Sequence, residues 1–574
     1  MRFVFHPNFH VISRTRSTVG KKGWMTVTAL LISGMGPAFP ESSLLADTWF
    51  DPRMSEGDRA IEDKSVPDLS ELFYMRDGLQ VPLLRPRRDG GGARVARTTA
   101  GSATETSSPP AKAPHLTTFT LQSILDNASL DYETLDTSVI WAAGEGPSGP
   151  FDTVLLSTTF VWDRHTLTRA VEWIEERYGE STLILGGQYS NLKFAWIMSE
   201  HPFVEVIVRG DAENSLPRLL RALAGRGREA VGAIPNLVYR DPSNQRLRVT
   251  PIEYVDLDST PSPVPIGEAM TVPYESMRGC PFSCKYCSFP SASPKWRYKS
   301  AQKIVDDWVH YQRVNGAQFI KALDSTFTVP PARLRALLPM LIEKEISWEA
   351  YSRANSINSR DLVAQLEDAG CKSLFIGFES MNDTVLGYMN KRVKTKSNRI
   401  AHELLSESSV KHFGSFIVGY PGETPEMFQD TRDFLVHEYR GEFALYTFLL
   451  QDETMPVWED AEKFGIEVLG DSEDATSWRH NGMTSDDADE LRRATIRDVR
   501  WRNDHAISRL WQHNYEMPLV PSASVKENFS IEKAVDRLGS VAADFSDASQ
   551  RIAHVGALRA DLFDVGVHSN KVEK

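Results

Sequence analysis

The segment from Arg278 to Pro290 gathers three of the four cysteines of this 574-residue chain, at Cys280, Cys284 and Cys287. Thiolates at such close spacing hold a zinc ion or an iron–sulfur cluster. A structural zinc site normally takes four protein ligands, yet no His or Asp lies between these cysteines to act as a nearby fourth. The segment therefore predicts a metal centre, with a zinc knuckle or three buried cysteines as the alternatives.

The C-x3-C-x2-C spacing, with the aromatic Tyr286 directly before the last cysteine, resembles the signature of the radical S-adenosylmethionine (SAM) superfamily. The resemblance implies that the three thiolates hold a [4Fe-4S] cluster and leave one iron open. It also implies that SAM chelates this iron through its amino and carboxylate groups, and that Tyr286 packs near the SAM adenine.

Charge and cysteine content limit the compartment and the partners. The chain has 77 acidic and 64 basic residues, for a net charge of -13, which disfavours a large binding surface for nucleic acid or an anionic membrane. Four cysteines, three of them clustered, do not form a disulfide framework. Because an oxygen-sensitive cluster belongs in a reducing compartment, we expect the cytoplasm.

The N-terminus resembles a signal peptide, because several Arg and Lys residues precede the apolar run Val27 to Met35. The same run reads better as a short buried strand, Thr26 to Ser33, because it is β-branched and is followed by a glycine-rich turn. We therefore expect residues 1–24 to be a disordered extension, with Met25 as a candidate start. No apolar segment reaches the roughly 18 residues that a membrane-spanning helix needs.

Residues 25–250 alternate short apolar runs with amphipathic stretches, which predicts βαβ units and a Rossmann-like parallel sheet. Ligands of such sheets lie at the carboxyl ends of the strands, where this chain has small and hydroxyl residues. These residues suit the approach of a large flat ligand, although glycines after strands are usually just turns. The candidate contacts are Ser157, Thr158, Thr159, Gly186, Gly187, Gly210 and Glu213.

This domain, placed directly before the cysteine segment, resembles the cobalamin-binding domain of cobalamin-dependent (class B) radical SAM methyltransferases. The segment Asp163-Arg164-His165 has the Asp and His of D-x-H-x-x-G, the cobalt-ligand motif of many cobalamin proteins, but lacks its glycine. Asp163 is therefore expected to cap a helix, with His165 in the first turn. The radical SAM members of the cobalamin group commonly lack that ligand, so the lower face of cobalt stays unassigned.

Residues 251–271 are rich in proline, which predicts a linker. Residues 272–455 then repeat strand and helix patterns, with proline at helix starts and glycine past helix ends. Six strands with five intervening helices match the partial (β/α)6 barrel of the radical SAM core. Residues 456–574 read as a mainly helical segment that caps the barrel and helps to choose the substrate.

Polar residues that follow the barrel strands are candidates for SAM contacts, because the loops at the carboxyl ends of such strands carry chemistry. By resemblance, the segment after the second strand binds the SAM amino group. These candidates are Asp324, Ser325, Arg353, Glu379, Ser380 and Gly419, and at each of them a loop hydrogen bond or a helix cap is the alternative.

Two further residues are candidates for a chemical role. Cys371 is a candidate for a methyl-carrying cysteine, but its place beside the apolar run Leu374 to Phe378 favours a buried structural thiol. His480 is a candidate substrate contact or acid–base group, although a lone loop histidine is more often structural or exposed.

The resemblance implies an enzyme that uses SAM, a [4Fe-4S] cluster and cobalamin to methylate an unactivated carbon, or a phosphinate phosphorus, of a small-molecule or peptide natural-product intermediate. A low-potential donor such as flavodoxin or ferredoxin would supply electrons. The first alternative is cobalamin-dependent rearrangement, ring contraction or cyclisation. An RNA methylthiotransferase would need three more N-terminal cysteines, and residues 1–279 have none. A non-enzymatic metal-binding module leaves the barrel unexplained.

Overall fold

The computed structural model describes residues 28–34, 72–76, 79–82, 113–159, 161–225, 228–241, 243–450, 453–470, 477–508, 520 and 522–569. The extension 1–24 and most of the loop expected between residues 85 and 114 lie outside these ranges. No helix in the described ranges is both long enough and apolar enough to cross a membrane.

The described residues form twenty-one strands and sixteen α-helices, which are named in chain order. The strands are β1 Thr28–Ser33, β2 Leu72–Arg76, β3 Leu79–Pro82, β4 Asp131–Asp136, β5 Thr153–Ser157, β6 Thr182–Gly186, β7 Val204–Val208, β8 Leu237–Arg240, β9 Leu247–Val249, β10 Thr271–Tyr274, β11 Met277–Arg278, β12 Arg297–Tyr298, β13 Phe319–Ala322, β14 Ser347–Arg353, β15 Cys371–Glu379, β16 Lys411–Val418, β17 Gly441–Thr447, β18 Glu467–Val468, β19 Trp478–Arg479, β20 Ala506–Ser508 and β21 Val567–Ser569. The helices are α1 Leu116–Asn127, α2 Ser138–Trp141, α3 Arg164–Tyr178, α4 Gln188–Glu200, α5 Ser215–Ala224, α6 Phe289–Ala292, α7 Ala301–Asn315, α8 Pro331–Leu341, α9 Arg360–Asp368, α10 Asp383–Tyr388, α11 Thr395–Ser406, α12 Pro425–Asp433, α13 Ala461–Phe464, α14 Ser485–Arg502, α15 Val525–Asp544 and α16 Ala548–Asp564.

The N-terminal sheet has seven strands in the order β4-β1-β5-β6-β7-β8-β9. The first five are parallel, as the sequence predicts, whereas β8 and β9 form an antiparallel extension. Separate hydrophobic clusters cover its two faces, which is the usual arrangement for a buried parallel sheet. Asp163 caps α3 by accepting the backbone N–H of Thr166, so the predicted cap is confirmed.

The second sheet is entirely parallel, and its strands follow chain order: β10-β13-β14-β15-β16-β17-β20. Local signals define its helices. Ser300 caps α7, whose buried stripe includes Ile304, Trp308 and Tyr311, and Gly316 ends it with a left-handed backbone (φ 69°). The six predicted barrel strands are present, and β20 from the C-terminal segment adds a seventh.

The proline-rich segment 251–271 is hydrogen-bonded to the loop after β7 and to helix α7. Val255 N–H donates to Asp211 at 2.8 Å, and Ser262 Oγ donates to Asp307 of α7 at 2.6 Å. The segment predicted as a linker is therefore an ordered connection that is hydrogen-bonded to the elements on either side of it.

Residues 72–76 and 79–82 differ from the sequence expectation, which assigned them to the N-terminal domain. β2 pairs with β3 and also with β21 near the other end of the chain, forming a separate three-stranded antiparallel sheet. Leu72 and Tyr74 are buried there against α15 and α16.

A buried histidine pair joins α11 to β16 on the outer side of the barrel. His402 Nδ1 lies 3.0 Å from His412 Nε2, and the Tyr439 ring stacks on His402 with 4.7 Å between ring centroids. Burial lowers the pKa of His402 to about 4 and that of His412 to about 3. The positive charge of Arg440 contributes to the lowered pKa of His402. Both rings are therefore neutral near pH 7.

We expect this pair to make the fold acid-sensitive. A histidine whose pKa is lowered in the folded state binds protons preferentially in the unfolded state. The free energy of unfolding therefore decreases as the pH falls below about 6.5, the pKa of histidine in the unfolded chain. For His412 alone, the loss between pH 7 and pH 5 is about 2 kcal/mol. Urea unfolding at both pH values measures it, and the variant His412→Gln should show a smaller difference. Equal pH dependence in the variant and the wild type would refute this prediction.

Candidate functional site

The three clustered cysteines lie on a loop that leaves β11 and returns at β12, beside the carboxyl ends of the barrel strands. The loop is closed tightly at its base. Gly279 has a left-handed backbone (φ 77°), and a Cβ there would lie 2.6 Å from the carbonyl oxygen of Lys295. Only glycine fits this close approach. Within the loop, Cys287 N–H donates to Cys284 O at 3.2 Å, so the last two cysteines share one turn.

Cys280 and Cys284 lie close enough to Cys287 for their charges to act on its thiol. Burial is the main cause that raises the pKa of Cys287, to about 11, and these two thiolates raise it further. In the described part of the chain, no three His, Cys, Asp or Glu side chains already converge as a metal site. Three sulfur donors on one loop nevertheless fit an iron–sulfur cluster in their chemistry.

Arg353, at the end of β14, reaches this loop. Its Nη1 lies 3.6 Å from Cys284 Sγ, and its guanidinium carbon lies 3.8 Å from the centre of the Phe282 ring. Its Nη2 donates to the carbonyl of Lys391, while its Nε is buried without a hydrogen-bond partner. The cation thus faces the sulfur-bearing loop, where it compensates negative charge on thiolates.

Tyr286 and Glu379, both candidates from the sequence, meet at one polar cluster with a residue that the sequence did not suggest. Glu379 Oε1 accepts a hydrogen bond from Tyr286 Oη at 3.0 Å and forms an ion pair with Lys391 Nζ at 2.7 Å. Lys391 Nζ also donates to Tyr286 Oη at 2.8 Å. The side chains of Lys391 and Glu379 are only 4% and 7% exposed, so the ion pair is nearly dry.

An irregular strand end presents Glu379 to this cluster. The pairing of β15 with β16 shifts register between Gly377 and Glu379, and Glu379 itself has a left-handed backbone (φ 64°). A Cβ at Gly377 would lie 2.3 Å from Glu379 Oε1, so this glycine makes room for the carboxylate. Bulges and strained residues of this kind are frequent beside active sites.

Asp324 and Ser325, after β13, hold the backbone that leads into the cysteine loop. Asp324 is buried and accepts N–H bonds from Ser276 at 2.7 Å and from Met277 at 2.9 Å. Burial raises its pKa to about 6, against the opposing effects of Arg333 and of these hydrogen bonds. Ser325 Oγ donates to Gly279 O at 3.0 Å.

The remaining candidates after the barrel strands face other elements. Ser380 Oγ accepts the N–H of Asn382 at 3.1 Å at the start of α10. Gly419 packs under Trp478, and a Cβ there would lie 2.6 Å from that ring. His480 Nδ1 accepts the N–H of Gly482 at 3.0 Å, and its Nε2 lies 3.2 Å from Gly419 O. With both ring nitrogens in use and its pKa lowered by burial, His480 fits the structural interpretation.

Cys371 lies at the amino end of β15, whereas the cysteine loop lies at the carboxyl ends of the strands. Its thiol is 2% exposed, its Sγ lies 3.7 Å from Ser373 O, and burial raises its pKa well above the ordinary range. These properties fit a buried structural thiol.

A second candidate site lies at the carboxyl edge of the N-terminal sheet, where Ser157, Gly186 and Val208 stand side by side in register. Thr158 Oγ1 donates to Gly186 O at 2.9 Å and accepts the N–H of Ser190 at 3.0 Å, which fixes the two loops together. Ser157 Oγ lies 3.2 Å from Thr159 Oγ1. This edge carries small side chains and suits the approach of a flat ligand.

Gly187 differs from Gly186 in what surrounds it. It has φ 114°, and a Cβ there would lie 2.8 Å from Thr159 N, whereas a Cβ at Gly186 would make only ordinary contact with Val208 O at 3.6 Å. The backbone therefore requires glycine at 187. Gly210, also left-handed (φ 68°), is exposed at the same edge.

Glu213, the last candidate at this edge, points toward the barrel domain, where its Oε1 accepts a hydrogen bond from Arg278 Nη2 at 2.6 Å. Neither this contact nor Lys391 was predicted from the sequence. Lys391 lies in a loop between two helices, and its local pattern is that of an ordinary exposed lysine. Its burial is the one signal of a role, and only the folded structure shows it.

Comparison with known proteins identifies the family of one part of the chain and a similar fold. Residues 274–435 match the family model described as the radical SAM superfamily, so this part of the chain is a radical SAM domain. The match confirms the prediction made from the cysteine spacing. The fold of the chain resembles TsrM from Kitasatospora setae, a radical SAM methyltransferase solved with cobalamin and a [4Fe-4S] cluster bound. The TM-score is 0.52 at 16% identity, over 78% of this chain and 96% of TsrM, which confirms the predicted α/β architecture.

Two curated relatives differ in the reactions their names state. An uncharacterized methyltransferase of Pyrococcus horikoshii is 28% identical over 54% of this chain and 68% of its own length. An anaerobic magnesium-protoporphyrin IX monomethyl ester cyclase of Synechocystis is 24% identical over 44% of this chain and 52% of its own length. The chain thus spans about two thirds of the first relative and about half of the second.

Proposed function

We propose that this chain is a cobalamin-dependent radical SAM methyltransferase that acts on an unactivated carbon, or on a phosphinate phosphorus, of a small molecule or peptide. One observation carries the proposal. A radical SAM domain with a three-cysteine loop follows a parallel-sheet domain whose carboxyl edge carries small residues, and the whole fold resembles that of TsrM. A flavodoxin or ferredoxin would be the electron donor, and the cytoplasm the compartment.

Cys280, Cys284 and Cys287 would hold the [4Fe-4S] cluster, and the N-terminal edge at Ser157, Gly186 and Gly210 would hold cobalamin. When bound, these groups and SAM supply a deoxyadenosyl radical and a transferable methyl group. The protein binds and orients them and excludes water.

For SAM, we assign Tyr286 to the adenine and the Glu379–Lys391 pair to the polar part of the molecule. The 2.7 Å ion pair is buried, so both charged groups keep a fixed position before SAM arrives. Arg353, 3.6 Å from Cys284 Sγ, would balance the negative charge of the thiolates. Asp324 and Ser325 would act through the backbone of residues 276–279, which they hold.

The variant Gly186→Leu tests the cobalamin site. A Cβ at this position fits at 3.6 Å from Val208 O, so the domain should still fold. The larger side chain should occupy the space at the carboxyl edge of the sheet where cobalamin would bind. We expect the anaerobically reconstituted variant to keep its iron and lose bound corrin, measured by the corrin absorbance per chain. Gly556→Leu is the matched control, because this glycine of α16 is exposed with nothing within 4 Å. Wild-type corrin content in Gly186→Leu would refute the assignment.

Cyclisation or rearrangement without methyl transfer remains the second candidate, because one relative is named as a cyclase. The products of SAM distinguish the two reactions. Methyl transfer consumes SAM both as methyl donor and as radical source, so it releases S-adenosylhomocysteine together with 5'-deoxyadenosine. Formation of 5'-deoxyadenosine alone during turnover would favour the second candidate.

A further inference from the structure

The base of the cysteine loop contains an unfavourable pair of charges. β11 and β12 are only two residues long, and their antiparallel register sets Arg278 directly opposite Arg297. Like charges that face each other across paired strands destabilise the pairing. The two arginines flank the loop that carries the cysteines, so their repulsion acts to open its base.

A carboxylate from the N-terminal domain bridges these two arginines. Asp211 follows β7, and its Oδ1 lies 3.0 Å from Arg278 Nη1 and 3.1 Å from Arg297 Nη2. Its Oδ2 lies 2.7 Å from Arg297 Nη1. The Asp211 side chain is 5% exposed, and those of Arg278 and Arg297 are 17% and 12% exposed, so solvent screens the contact little.

The same domain reaches the loop at a second point, just after its cysteines. Asn191 of α4 donates its side-chain N–H to the carbonyl of Ala292, and Arg209 Nε orients Asn191 by donating to its Oδ1 at 3.0 Å. The N-terminal domain therefore contacts the loop on both sides of Cys280 and Cys287.

We propose that Asp211 is a positioning residue for the metal centre: it closes the base of the cysteine loop by neutralising Arg278 and Arg297, so that the N-terminal domain controls how firmly the barrel domain holds its cluster. This inference rests on the proposed function in one respect, the assignment of an iron–sulfur cluster to this loop. By this inference, the barrel domain would not hold its cluster independently of the N-terminal domain.

The variant Asp211→Asn removes the charge at nearly constant volume. We expect the full-length, anaerobically reconstituted variant to lose iron to a chelator about tenfold faster than the wild type, because Arg297 loses its carboxylate partner while it still faces Arg278, which Glu213 and Glu275 continue to hold in place. Asp241→Asn is the matched control, since Asp241 pairs with the 54% exposed Arg248 on another hairpin of the same domain. Equal rates in Asp211→Asn, Asp241→Asn and the wild type would overturn the proposal.

A charge-specific rescue separates this role from general packing. Adding Arg297→Gln to Asp211→Asn removes the repulsion, so the double variant should lose iron more slowly than Asp211→Asn alone. No recovery would mean that Asp211 acts through other contacts, such as the 2.8 Å bond from Val255 N–H, and would overturn the charge mechanism. If Asp211→Asn does not fold, Glu213→Gln, which frees one bond of Arg278, should still speed iron loss, and an unchanged rate would refute the proposal.

Hydrogen exchange before iron is added keeps this inference distinct from the proposed function. Amides of residues 279–296 should exchange faster in Asp211→Asn than in Asp241→Asn, and equal exchange would count against closure of the loop base by Asp211. A separate outcome is that the wild type binds no cluster while Asp211→Asn still exchanges faster than Asp241→Asn. That result would refute the proposed function but support the closure of the loop by Asp211.

Discussion

Replacing any one of Cys280, Cys284 and Cys287 by alanine is expected to abolish the visible absorbance of the iron–sulfur cluster and the reductive cleavage of SAM. In the proposed site each would supply one of three equivalent thiolates, and the loop offers no substitute, because its other side chains between residues 280 and 287 are not metal ligands of this kind. Iron content per chain and 5'-deoxyadenosine release measure the two losses.

Cys371→Ala is the matched control for these variants. This thiol is buried at the opposite end of β15, and its pKa is raised far above the pH of the assay, so it provides no accessible thiolate. Iron and SAM cleavage should therefore match the wild type. Loss of iron in Cys371→Ala, or retained cleavage in any of the other three variants, would contradict the assignment of the cluster.

Glu379→Gln is expected to cause the second largest effect. Its loss leaves the Lys391 ammonium buried without its counter-charge, and breaking a buried pair in this way costs about 3–5 kcal/mol. We expect reduced stability in urea and a SAM affinity about 100-fold weaker, the equivalent of roughly 2.7 kcal/mol. Isothermal titration with SAM on the cluster-loaded protein measures the affinity.

The double variant Glu379→Gln with Lys391→Met separates binding from stability. Removing both charges takes away the unpaired ammonium, so stability should largely return. SAM affinity should stay low, because the double variant lacks both polar groups assigned to SAM. Wild-type affinity in the double variant would show that the pair serves only the fold.

The sequence predicted the structure correctly where a feature depends on residues close together in the chain. Helix α7 ends before Gly316, as the glycines past the predicted helix ends indicated, and Asp163 caps α3 as expected. The cysteine spacing likewise predicted a radical SAM domain that the family model matches over residues 274–435. Caps, apolar stripes and clustered thiols are short-range signals, so a single sequence records them directly.

The sequence was uninformative where distant segments meet. Strand β20 has three residues and pairs with β17 across the whole of α14, so no local periodicity identifies it. Lys391 belongs to the site only because β15 turns Glu379 toward it. Asp211 looks like a turn residue after β7 until folding brings it against Arg278. Each of these contacts depends on the tertiary fold and leaves no local pattern in the sequence.

The small sheet of β21, β2 and β3 has a consequence for how the protein is made. Tyr74 pairs with Val567, so one of the earliest described strands meets its partner only after almost the entire chain has left the ribosome. During translation, the β2–β3 hairpin has an open edge and an uncovered apolar face, since α15 and α16 are also late. Contacts of such long sequence separation form slowly. We therefore expect the nascent chain to be prone to edge-to-edge association at this hairpin until the C-terminal helices and β21 have been made.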